Sequence, residues 1–166
     1  MIHFTAKLSK IGFWTIVRLP ETASAKLPSR GMVLVEGTIN NLPFQAVLEP
    51  DGKGSHWFKI DEKLPETVSV EIQPSKNWPD PEIPKDLQTA LADDSKAHKL
   101  WMAITPMARW DWIRWIRATK DLGTRKRRIE IAFSKLKKGD KRPCCFNRTM
   151  CTVPEVSKNG VLTSPT

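Results

Sequence analysis

The sequence has no long apolar stretch. Its longest uninterrupted apolar run is five residues, Leu100–Ile104, whereas a membrane-spanning helix needs about 20. No apolar core follows a basic start at the N-terminus, so no secretory signal is read there. Cysteine is scarce: Cys144, Cys145 and Cys151 form one late cluster. An odd number, with two adjacent, is a poor disulfide framework. Reduced thiols and a cytoplasmic location are the expectation. Paired carboxylates, a nucleophile–base–orienter set and a metal-ligand set are all missing at chemically sensible spacing. Accordingly no catalytic residue, metal ligand or cofactor is assigned. No internal repeat is visible.

What remains is the composition of a globular chain. Of 166 residues 40% are hydrophobic and 27% charged. Such a length buries roughly 68–70% of its unfolded surface without staples. The net charge of +9 is uneven. Residues 1–80 carry 9 basic and 9 acidic side chains, residues 81–123 carry 7 and 6, and residues 124–166 carry 11 and 3. A basic end on a neutral body suits an anionic partner such as nucleic acid or an acidic protein, or simply a solubilising face.

The hydrophobic rhythm changes near position 80. Before it the period is two. Phe4, Ala6 and Leu8 alternate with Thr5 and Lys7; Phe13 to Leu19, Gly31 to Ile39, Leu42 to Leu48, His56 to Ile60 and Thr67 to Ile72 also read as strands. Glu21 to Lys26 reads as one helical turn. Asn40-Asn41 and Asp51 to Gly54 read as tight turns. Six short strands joined by turns predict a mainly antiparallel sheet, closed into a β-barrel to bury one face and remove the edges. Proline-rich residues 77–83 read as a stiff linker.

Beyond it the period is 3.6. Pro84 suits a helix start, Asp94 and Thr105 suit caps, Gly123 a stop and Thr124 a further cap. The last of these helices carries Ile129, Phe133 and Leu136 on one face, and Gly139 ends it. The predicted class is therefore α+β. A six-stranded barrel (residues 1–76) precedes a small helical domain (residues 84–139) and an irregular basic tail (residues 140–166).

Phe4 to Leu8, Trp14 to Pro20 and Val35 to Asn40 resemble a bacterial barrel family of unknown function. Ile83 to Leu87 with Ala90-Leu91, Trp115 to Lys120 and Thr124 to Ile129 resemble the helical domain of the YdeI or OmpD-associated family. The resemblance spans about residues 3–139 and implies a soluble bacterial protein, sometimes labelled bacteriocin protection. It supplies no catalytic residues.

Several constellations have competing readings. Gly52-Lys53-Gly54-Ser55-His56 has the composition of a phosphate loop, but a strand and not a helix follows it. Ser55 and His56 are adjacent and point to opposite faces of a strand, so they make no nucleophile–base pair. Arg125, Lys126, Arg127 and Arg128 open a helix, against its dipole. They either bind an anion or pair with barrel carboxylates such as Glu36 and Glu71. Trp112 and Trp115 are core candidates, whereas Trp110 lies about 160° from Trp112, among the arginines, and could stack on a base or a peptide aromatic. Trp14 and Trp57 either fill the barrel or line its mouth.

The first functional expectation is a non-catalytic ligand-binding or interaction module, for an unknown small molecule or protein. Its candidate contacts are His56, Trp57 and Arg125 at the barrel mouth, with Trp110, Arg127 and Arg128. The alternatives are nucleic-acid binding through residues 124–148 and an enzyme of unknown reaction. A membrane partner is not expected.

Overall fold

The computed structural model describes residues 1–144 and 147–165. Its contacts divide the chain into two compact units. One holds residues 1–77, 147–151 and the residues from 155 onward; the other holds residues 78–146 and 152–154.

The first unit is a closed barrel of six strands: β1 (Ile2–Ile11), β2 (Trp14–Arg18), β3 (Val33–Ile39), β4 (Leu42–Pro50), β5 (His56–Ile60) and β6 (Thr67–Pro74). A short helix, α1 (Glu21–Ser24), follows β2. The order around the barrel is β1-β2-β5-β4-β3-β6 and every neighbour is antiparallel. Alternation places Val17, Val33, Val35, Leu48, Phe58, Val68, Val70 and Ile72 inside. Asn40 and Asn41 both take positive φ, 49° and 67°, turning β3 directly into β4. Gly37 allows close strand approach, since a Cβ there would lie 1.9 Å from the Glu71 carbonyl oxygen.

The ladders are unequal. β3 and β4 share seven residue pairs, whereas β4 and β5 share only two, Glu49 with Trp57 and Pro50 with His56. The barrel wall is therefore open along most of this seam.

The tail carries one regular element that its sequence does not announce. It forms a small hairpin, β7 (Ser157–Lys158) and β8 (Val161–Leu162), with Asn159 and Gly160 at positive φ in the turn. The Leu162 N–H donates to the Asp51 carbonyl at 2.9 Å, and the Arg18 guanidinium donates to the Thr163 carbonyl. Short polar stretches hide such order, because the stabilising bonds come from distant residues. Ile16, Leu34 and Trp57 point away from the barrel interior yet are all buried. Trp14 and Trp57 thus neither fill the barrel nor line its mouth; they meet outside it with ring centroids 6.3 Å apart.

The second unit packs four helices, α2 (Lys85–Ala92), α3 (Ser95–Ala103), α4 (Pro106–Arg117) and α5 (Leu122–Lys137). Asp94 and Thr105 cap α3 and α4 as expected, accepting from the Ala97 and Ala108 N–H groups. The start of α5 differs from expectation. Gly123 and Thr124 lie inside its first turn, and Asp121 is the cap, accepting from the Thr124 N–H and hydroxyl, both at 2.8 Å. A carboxylate at the positive end of the dipole offsets the cost of a helical glycine. The core joins Leu87, Trp101, Trp112, Ile116, Ile129 and Phe133.

Arg109, Asp111 and Arg114, all on α4, are buried although charged. Pairing permits this. Arg109 reaches Asp80 at 2.7 Å and the Ile104 carbonyl, and Asp111 lies 3.8 Å from Arg114 and 3.5 Å from Arg142.

Candidate functional site

His56 lies in the barrel wall, and only 1% of its surface is exposed. Its Nε2 lies 2.8 Å from the Gly31 carbonyl and its Nδ1 2.6 Å from the Ser24 hydroxyl. The carbonyl can only accept, so Nε2 carries the proton and the Ser24 hydroxyl donates to Nδ1. Arg30 completes the cluster, donating to the Ser24 hydroxyl at 3.2 Å and to the Ser24, Leu27 and Gly54 carbonyls. Burial pushes the imidazole below its ordinary pKa of 6.5. A hydroxyl bonded to an imidazole is the geometry of a nucleophile and its base. Here both partners are buried, so the cluster ties α1 and the loop before β3 to β5. Sequence reading weighed the adjacent Ser55 and missed Ser24, 32 residues away, because nothing in the local pattern links the two.

Trp57 is equally buried, with its indole N–H donating to the Pro50 carbonyl at 3.2 Å. The Gly52 to Ser55 stretch is a turn, as read. Asp51 Oδ1 accepts from the Lys53 and Ser55 N–H groups, and Gly52 and Gly54 take positive φ.

The arginines of α5 have partners, but not Glu36 and Glu71. Glu71 pairs with His3 at 2.8 Å, and Glu36 accepts from Gln73. Arg125 instead forks onto both oxygens of Asp86 at 2.8 and 3.0 Å, and this bond holds the Asp86 carboxyl below the usual carboxylate range. Arg128 donates to the Trp115 carbonyl at 2.6 Å and sits over that indole. Arg127 and Lys126 are exposed. Trp110 is half-buried rather than exposed: it meets Trp78 edge-on and donates to the Pro79 carbonyl at 2.9 Å. The proline-rich segment supplies that partner, which a helical wheel cannot foresee. Trp112 is buried and Trp115 packs partly against the same core.

Cys144 is disulfide-bonded, contrary to the expectation of reduced thiols, while Cys151 is buried and takes no part in a disulfide. Bridging depends on sulfur separation in space, which a cysteine count does not contain. Cys145, the third member of the cluster, lies outside the described residues. Among the described residues no group of three or more His, Cys, Asp or Glu is placed to hold a metal ion.

The open seam provides a concave site. Between the diverging halves of β4 and β5 lies a cleft of about 180 Å³. Phe44 and Phe58, stacked with centroids 5.6 Å apart, form its floor with Ile39, Ala46, Ile60 and Leu64. Lys59, Asp61, Glu62 and Gln45 make its polar rim. Lys59 is already committed, 3.1 Å from Asp61 and 4.5 Å from the Trp14 ring centroid, which leaves the rim net acidic through Glu62. The sequence reads Leu42 to Leu48 and His56 to Ile60 as strands, but no sequence signal marks where a ladder stops. A second cleft, in the helical unit, is lined by Glu82, Ile83, Pro84, Trp110, Ile113 and Arg117. Arg117 is occupied there in part, donating to the Thr152 hydroxyl at 3.3 Å.

Residues 4–74 match the family described as domain of unknown function DUF1905. Residues 80–139 match the family described as bacteriocin-protection, YdeI or OmpD-associated. No curated protein and no solved structure matches the chain. No helix of the described residues is long and apolar enough to cross a membrane.

Proposed function

We propose that this chain, which joins a DUF1905 barrel to a YdeI/OmpD-associated helical region, is a non-catalytic binding module whose site is the β4–β5 seam. The carrying observation is the ladder of two pairs, which leaves an apolar cleft open in an otherwise paired wall. A cleft of 180 Å³ accepts one ring-sized apolar group, since a cavity of about 150 Å³ holds benzene. The link to bacteriocin protection rests on the family's description, and a protective role would follow from binding.

Titration with indole, followed by NMR of the aromatic and methyl groups, tests this reading. Phe44, Phe58, Ile60 and Leu64 should shift together, and Ala46→Trp, which plugs the cleft, should abolish the effect. Unchanged spectra at saturating indole would contradict it.

The nucleic-acid alternative keeps fewer free cations than its sequence offered. Asp86, the Trp115 carbonyl and Asp94 engage Arg125, Arg128 and Lys137.

A further inference from the structure

We propose that the occupant of the seam is an extended peptide segment of a partner protein, which adds as a strand between β4 and β5. The inference rests on the binding reading above and names its ligand class. Backbone direction in the two strands carries it. The Asp51 N–H donates to the Ser55 carbonyl at 2.9 Å, so the odd-numbered residues of β4 turn their peptide groups toward β5. The Leu19 N–H donates to the His56 carbonyl at 3.0 Å, so the even-numbered residues of β5 turn theirs toward β2. Lys59 consequently faces β4, while Gln45 and Val47 face β5. The ladder stops at Glu49 and Trp57, so these three residues present their peptide groups to the gap and not to each other.

A small apolar molecule would fill the floor and leave those donors and acceptors to water. An extended chain satisfies both, bonding along the strand edge while alternate side chains drop onto Phe44 and Phe58. Pro43 has no N–H and sets the outer end of the usable β4 edge. The net acidic rim favours a lysine or arginine beside the inserted apolar residue.

The test pans a phage-displayed library of random decapeptides against the full-length protein and, in parallel, against Val47→Pro and Gln45→Pro. Each proline removes an N–H that points into the gap and leaves the bonds from β4 to β3 intact. The expected result is enrichment of peptides with an apolar residue at every second position and a flanking basic residue, seen on the native protein and lost on both variants. N-methylation of the peptide amides that face β4 should weaken a selected synthetic peptide about tenfold per bond lost. Circular dichroism of the variants separates lost binding from lost folding; if neither proline variant folds, the N-methyl series on the native protein decides alone. No enrichment, or enriched peptides without alternation and indifferent to N-methylation, would overturn strand addition. If indole still shifts Phe44 and Phe58 in that case, the cleft remains a small-molecule site; if neither binds, both readings fall. A concentration-dependent dimer abolished by Val47→Pro would make a second copy the occupant, and would equally overturn a partner peptide.

Discussion

Burial holds the His56 imidazole below its ordinary pKa of 6.5, and the nearby Arg30 charge pushes in the same direction. The unfolded chain takes up a proton near 6.5, whereas the folded chain resists until a lower pH. Stability should therefore fall as pH drops through 6.5 and level off below the folded pKa. Urea midpoints at about pH 7.5 and 5.5 should separate in the native protein and converge in His56→Gln, which loses the titrating group. Equal pH sensitivity in both proteins would show that another residue is responsible. The Arg125–Asp86 fork makes a second prediction at this scale. A double-mutant cycle should give a coupling of about 0.5–1 kcal/mol, weakened by salt. Zero coupling, with loss of RNA binding in Arg125→Ala, would restore the anion reading. Sequence placed Arg125 correctly on a helix but not opposite Asp86, 39 residues away, since partner choice is settled only by packing.

Most elements were legible because each rests on local chemistry. The six strands follow from alternation and turn residues, and α3 and α4 begin at the caps that Asp94 and Thr105 supply. The start of α5 was misread because a glycine reads locally as a stop, while Asp121 two residues earlier supplies a stronger start. Asp121→Ala should cost about 1 kcal/mol of stability, as the loss of a cap does. Thr124→Ala should cost clearly less, because the Thr124 backbone N–H keeps its partner. Thermal denaturation of the two variants compares them directly, and the reverse order would return the cap to Thr124. The tail hairpin escaped notice for the opposite reason. Its two strands are two residues each and carry no period, and the Leu162–Asp51 bond ties them to a turn more than a hundred positions away.

At the scale of the molecule, the charge layout and the barrel-plus-helices architecture were visible in composition and rhythm, but the cleft proposed as a binding site was not. The C-terminal basic excess is partly consumed by Asp86, Asp94 and Asp111, which sequence cannot pair with it. The seam is a property of register: six strands announce a closed barrel, and only their pairing shows that one join is two residues deep. Residue-resolved amide hydrogen exchange on the free protein measures that join most directly. With the seam open, the Gln45, Val47 and Lys59 amides should exchange orders of magnitude faster than those of Phe44, Leu48 and Phe58, which bond to β3 and β2. Equal protection of the two sets would mean that β4 and β5 close on each other, and the cleft with its proposed occupant would be lost.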